Sequence, residues 1–217
     1  MMKHGSPRWR CLGSASLFVL PLILPHSSIA QGTPVPKSGA PFAKSTVLVL
    51  HNGTNALDLV GDGKQAMVFA ARRENFNAHG YSSVAFYVHA AAADGPGLEW
   101  HLVPFFGGPT DIDVFRTAEG ADCTLADLRV FRARAGGPVS VILAEREPGE
   151  SFADAAPLRF DVYRLEKNRQ GIAGWPLYYF QWERDIRPER PYCDVNEAFA
   201  QELGLGKAGL GRGEGGR

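Results

Sequence analysis

The densest set of chemistry-bearing residues lies between His51 and His89. Asn52-Gly53 is followed by Asp58-Leu-Val-Gly-Asp62-Gly63-Lys-Gln-Ala66, set between short apolar runs. The segment reads as a hairpin whose turn looks like a worn-down calcium loop. Calcium takes about six to eight oxygens, with carboxylates and carbonyls converging on the ion and glycine permitting the sharp turn. Here Val60 stands where a third oxygen ligand is wanted and Ala66 where a closing carboxylate is wanted. Asp58 and Asp62 are therefore only weak metal candidates, and a Gly-Asp-Gly turn bonded to its own backbone is the stronger expectation.

Other residue sets are incomplete in the same way. His79, His89 and His101 would make a zinc site only by meeting across strands, and their spacing matches no zinc-binding pattern. Asp111, Asp113, Glu119 and Asp122 are enough carboxylates for glycoside hydrolysis, which needs two flanking the scissile bond, but acids in loops are ordinarily solvated. The mature chain has neither Gly-x-Ser-x-Gly nor Ser-x-x-Lys. The run Trp175-Pro-Leu-Tyr-Tyr-Phe-Gln-Trp182 offers a platform for a sugar ring or an apolar ligand. Read structurally, a Leu177, Tyr179, Gln181 face set against a Tyr178, Phe180, Trp182 face describes a central strand packed on both sides, and this is the expectation. No catalytic residue and no cofactor follow from these patterns.

The elements that must position these residues belong to an exported chain. Met1 to Arg10 carry Lys3, Arg8 and Arg10 with no acid, Leu12 to Pro25 are largely apolar, and Ser28-Ile29-Ala30 supplies the small residues of a cleavage site. Residues 1–30 are thus expected to be a signal peptide, too short and too broken by Pro21 and Pro25 to span a membrane. The chain holds 23 basic and 23 acidic residues, so losing the leader's three basic residues leaves a slightly acidic domain without a nucleic-acid footprint. The pairs Arg72-Arg73 and Arg132/Arg134 read as solvated strand edges. Cys123 and Cys193 are then the remaining thiols. In an oxidising compartment they are a disulfide candidate, the alternative being two buried free thiols.

Residues 31–41 read as a flexible linker, 42–203 as one β-rich domain and 204–217 as a Gly-rich disordered tail. Strands are expected near 45–50, 66–71, 83–90, 99–104, 125–132, 139–146, 158–165 and 177–184, with Gly and Pro in nearly every gap, the spacing of an all-β sandwich or open barrel. One helix starts at Asp194, which caps it with Glu197 reaching back, and runs to about Leu203 before Gly204. The fold class is mainly β, an antiparallel β-sandwich-like single domain with one C-terminal helix.

The order of Leu57-Asp-Leu-Val-Gly-Asp-Gly63, Ser82-Ser-Val-Ala-Phe-Tyr-Val88, Gly120-Ala-Asp-Cys123, Gly149-Glu-Ser-Phe-Ala-Asp154, Phe160-Asp-Val-Tyr-Arg-Leu165 and Tyr192-Cys-Asp-Val-Asn-Glu-Ala-Phe199 resembles the CarG-type carbapenem intrinsic-resistance (self-immunity) family of Gram-negative bacteria. The resemblance spans about Ser45 to Leu203. It implies a periplasmic, non-enzymatic protein that protects against a carbapenem by sequestering the drug or shielding a cell-wall component. Its partner would be a carbapenem-like small molecule or that component, with no nucleic acid and no membrane span after leader cleavage. A glycan-acting enzyme and a structural interaction module remain the alternatives. Oligomeric state is not legible.

Overall fold

The computed structural model describes residues 36–206 except 78, 93, 94 and 121, together with residue 210. The expected signal peptide, the start of the linker and most of the Gly-rich tail lie outside the described residues. Among the described residues there are twelve strands: β1 (Thr46–Leu48), β2 (Gly53–Leu57), β3 (Ala66–Arg73), β4 (Tyr81–Ala91), β5 (Leu98–Leu102), β6 (Phe105–Phe106), β7 (Phe115–Arg116), β8 (Ala118–Glu119), β9 (Thr124–Arg132), β10 (Ser140–Arg146), β11 (Leu158–Lys167) and β12 (Tyr178–Ile186). All eight expected strands are present, with ends shifted by a few residues. The short β2, β6, β7 and β8 carry too few periodic residues to show in the sequence.

The strands form two sheets. The larger runs β1-β9-β10-β11-β12-β6 with β8 on β9, and the smaller runs β2-β3-β4-β5 with β7 on β4. Every pairing is antiparallel except β12 with β6. Period-two alternation sends Val68, Val84 and Phe86 of the small sheet and Leu128, Val141 and Phe180 of the large sheet into one core between them. This is a sandwich, and its alternation is the same one that the sequence shows.

A second apolar cluster lies on the opposite face of the large sheet, where Phe131, Ile142, Phe160 and Val162 meet Val195, Phe199 and Leu203. Those last three come from the C-terminal helix, four residues of α-helix, α1 (Val195–Ala198), continued by five of π-helix (Phe199–Leu203). Asp194 caps it as expected, its side chain accepting from the Asn196 backbone N–H at 2.7 Å. Glu197 does not complete the capping box. Its carboxylate accepts from Arg190 at 3.3 Å and from Gln201 at 3.0 Å instead, because both donors reach it from the exposed side. Gly204 closes the helix at φ 73°, and a Cβ there would sit 2.8 Å from Ala43 Cα.

A helix this short has little stability of its own, so tertiary contacts must hold it. The main one is Arg129, 1% exposed and aimed from β9 toward the helix. Its Nε donates to Leu205 O at 3.2 Å, Nη1 to Asp127 at 2.8 Å and Leu128 O at 2.9 Å, and Nη2 to Asn196 Oδ1 at 2.5 Å. The guanidinium also lies 4.2 Å from the Phe199 ring centroid. Burial pushes the Asp127 carboxyl up and the Arg129 guanidinium down, while each charge opposes the other's shift. A pair in that position is costly to break from one side, since the survivor is left charged and dry. Arg129→Ala is expected to lose about 3–5 kcal/mol of unfolding free energy, whereas the joint change Asp127→Leu with Arg129→Met recovers most of it. Urea denaturation of the two variants checks both outcomes.

Candidate functional site

The Asp58 loop connects β2 to β3, whose last pair is Leu57 with Ala66. Asp58 accepts backbone N–H bonds from Gly61 at 2.7 Å, Asp62 at 3.2 Å and Gly63 at 3.0 Å. Asp62 accepts from the Lys64 N–H at 3.0 Å. Partial desolvation would raise the Asp58 pKa, but the N–H groups of Gly63, Gly61 and Asp62 and the Arg132 charge hold it below the ordinary value. The carboxylate thus closes a turn on its own backbone, and three of its lone-pair sites are taken.

That turn also joins the two sheets. Leu59 is fully buried in the inter-sheet core, and the Val139 N–H donates to Leu59 O at 2.9 Å. Arg132, expected to be a solvated edge residue, donates to the carbonyls of Asp58 and Gly137. Gly61 has φ 82°, and a Cβ on it would lie 2.5 Å from Gly136 O, so only glycine fits between the two loops.

The remaining candidates are dispersed. Val88 and His101 are register partners, as are His89 and Trp100. His101 therefore shares the face of the core residue Val88, while His89 projects outward and stacks on Trp100 at 4.8 Å. His79 lies against Phe152, 5.4 Å between centroids. Among the described residues no three His, Cys, Asp or Glu side chains converge as metal ligands. Arg72 Nη1 donates to both carboxylate oxygens of Glu119, at 2.8 and 3.0 Å, so Arg72 too is more than a solvated edge residue. Asp111 accepts from the Gly107 N–H at 2.8 Å, closing its own loop. Cys123 and Cys193 are joined in a disulfide with Cα atoms 5.7 Å apart.

Strand parity divides the aromatic run. Tyr178 and Phe180 point into the inter-sheet core, and Trp182 packs against its margin with Nε1 donating to Asp161 at 3.1 Å. Tyr179 points outward into a corner with Trp175 and Phe106, at centroid separations of 5.1 Å from Trp175 and 6.1 Å from Phe106. Trp175 is 42% exposed. β12 lies near the sheet edge: among the described residues only the two-residue β6 pairs beyond it, and its outward face stays partly open. The corner is the half of the run able to contact a flat ligand.

Residues that sequence reading did not single out supply the buried polar groups. Asp161, 5% exposed, accepts from Arg159 Nε at 2.8 Å as well as from Trp182. Beside it Tyr163 is buried, its pKa raised by desolvation first and by the Asp161 charge second. Gly108 lies so close to the Tyr163 hydroxyl that any Cβ would collide with it, which seats the 107–111 loop over this end of the sandwich. An acid between Phe160 and Val162 in an apolar strand was the available signal.

Replacing Asp58 by Ala removes three backbone acceptor contacts and is expected to cost about 1–2 kcal/mol, the range of a lost cap. A depressed folded-state pKa gives stability that is complete above the unfolded value of about 3.9 and is lost as pH falls through the folded one. The gap between the native protein and Asp58→Ala, followed by urea unfolding across pH, therefore closes below about pH 4. Added calcium leaves the native melting temperature unchanged; a calcium-dependent rise would show that the loop takes the ion.

Comparison with known proteins bears on the whole domain. The family model for "Carbapenem resistance protein CarG-like" matches residues 50–201. The crystal structure of CarG superposes with a TM-score of 0.57 at 24% identity, covering 71% of this chain and 93% of that one, which shows a shared fold. No curated protein matches. The matched span includes every strand from β2 to β12, the Asp58 turn, the disulfide and most of the C-terminal helix, and on that basis the chain belongs to the CarG-like family of carbapenem resistance proteins.

Proposed function

We propose that the protein acts in the periplasm as a non-catalytic protector against a carbapenem or a closely related small molecule, by sequestering it or shielding the cell-wall component it attacks. The family match over residues 50–201 carries this reading. The leader pattern and the Cys123–Cys193 bridge support an oxidising compartment outside the cytoplasm. The candidate residues support a binding role, since Asp58, Glu119, Asp111 and Cys123 are each committed to holding the fold.

For a small ligand the aromatic corner of Phe106, Trp175 and Tyr179 is the surface we favour, because its rings are pre-packed against one another and open on one side. Such rings lose little conformational freedom on binding.

Expression of the full chain in a carbapenem-sensitive Gram-negative host, with drug remaining in the medium assayed in parallel, tests the proposal. Increased survival with intact drug is the expected result. Survival with drug loss would show catalysis, and no protection from demonstrably exported protein would end the resistance reading. Trp175→Ala is expected to lower the inhibitory concentration about fivefold if the corner holds the ligand, the equivalent of one ring contact of about 1 kcal/mol.

A further inference from the structure

The outer face of the large sheet is divided between the C-terminal helix and solvent. The helix packs over Ile142, Phe160 and Val162. One row farther along, Ser140 of β10 pairs with Arg164 of β11, Arg164 with Gln181 of β12, and Gln181 with Phe106 of β6. The following row pairs Glu166 with Tyr179. Partners in register share a face of the sheet, so a polar row runs straight into the aromatic corner of Phe106, Trp175 and Tyr179. The Arg164 side chain is 53% exposed, which leaves this half of the face open.

Both the polar groups and the rings are held in place. Arg164 Nε donates to Glu166 at 2.7 Å and its Nη1 to Glu183 at 3.2 Å. Each carboxylate keeps lone pairs, and the guanidinium keeps N–H groups, for a ligand. The turn that carries Trp175 is fixed by Asn168, whose Nδ2 donates to the carbonyls of Ile172 at 3.1 Å and Trp175 at 3.3 Å while its Oδ1 accepts from the Ile172 N–H at 2.9 Å. The Trp175 and Tyr179 rings are inclined at 69°, the wall and floor of a notch. Groups set in advance cost little to order when a ligand arrives.

We propose that the corner and its polar row bind a hexopyranose ring of the cell-wall glycan, an inference that rests on reading the corner as the ligand surface. A sugar ring presents a face of C–H groups and a rim of hydroxyls that both donate and accept. The C–H face stacks on Trp175, and the rim reaches Gln181, Glu166 and Arg164. Phe106 and Arg164 stand two strand spacings of about 4.8 Å apart, room for a ring and its hydroxyls side by side. Charge disfavours a carboxylate-bearing drug in the same place. Among the described residues of these two rows the cation is Arg164, which already faces two carboxylates, and a third would be repelled. Arg184, the register partner of Val162, lies a row beyond Arg164 and away from the rings. A neutral ring rich in hydroxyls meets no such repulsion, and holding it places the protein on the wall that the shielding reading has it protect.

Isothermal titration calorimetry of the full-length product exported from a Gram-negative host, with the tetramer of N-acetylglucosamine as probe, tests this together with co-sedimentation on peptide-free cell-wall glycan. Both probes are expected to bind. Trp175→Ala and Gln181→Ala are each expected to weaken tetramer binding about fivefold with the melting temperature unchanged, and Trp175→Phe to restore most of the loss. An added carbapenem is expected to leave tetramer binding unaltered. No binding to either probe at the highest concentration reached would overturn the proposal, as would binding indifferent to both alanine variants. Displacement of the tetramer by the carbapenem would overturn it by assigning the corner to the drug, and binding of the tetramer without the wall glycan would overturn the wall as the source. Glycan binding in a host that gains no protection would support this inference while ending the resistance reading; protection without glycan binding would overturn this inference alone.

Discussion

A charge taken out of water beneath a short helix holds the architecture together. Arg129 is satisfied only when Asp127, the Leu128 and Leu205 carbonyls and Asn196 are all in place, so β9 and the C-terminal helix cannot separate without stranding it. Two further ties converge there. Asp194 caps the helix and also accepts from the Thr124 N–H at 3.3 Å, and the Cys123–Cys193 bridge joins the residues just before them across 70 positions of sequence. With the helix held, Val195, Phe199 and Leu203 seal the outer face of the large sheet.

Arginine meets the same physical demand at two other places. A loop buried against a sheet brings backbone carbonyls that need donors, and a guanidinium supplies several in a fixed fork. Arg132 serves Asp58 and Gly137, joining the β2–β3 turn to the β9–β10 turn. Arg146 gathers the carbonyls of Ser151, Phe152 and Asp154 under the loop that leads to β11. The oxygens and cations that resembled chemistry in the sequence are therefore spent on loop closure. Among the described residues the aromatic corner at β12 stays partly open to solvent, with Trp175 42% exposed.

The two sheets differ in how completely they are buried, and that difference follows from chain order. The segment after β12 has a helix to lay on the large sheet, whereas the connections around β2 to β5 are spent on hairpins and on the Asp58 turn. Among the described residues the outer face of the small sheet keeps apolar side chains exposed, Phe69 at 46% and Trp100 at 48%.

The sequence by itself determined the β class, the eight principal strands, the Asp194 cap and the Gly204 stop, because alternation and capping are local properties readable over a few residues. It also showed Val60 and Ala66 standing where a calcium loop would place oxygen ligands, since residue type at a loop position is a matter of composition. Only the tertiary structure decided that Arg72, Arg129 and Arg132 are structural, that His89 and His101 face opposite ways, and that the aromatic run splits between core and corner. Partners for an arginine come from distant segments such as Asn196 or Glu119, and pairing register rather than spacing settles which side of a sheet a residue takes. The pairing of Cys123 with Cys193 likewise rests on a Cα separation of 5.7 Å that no count of intervening residues supplies.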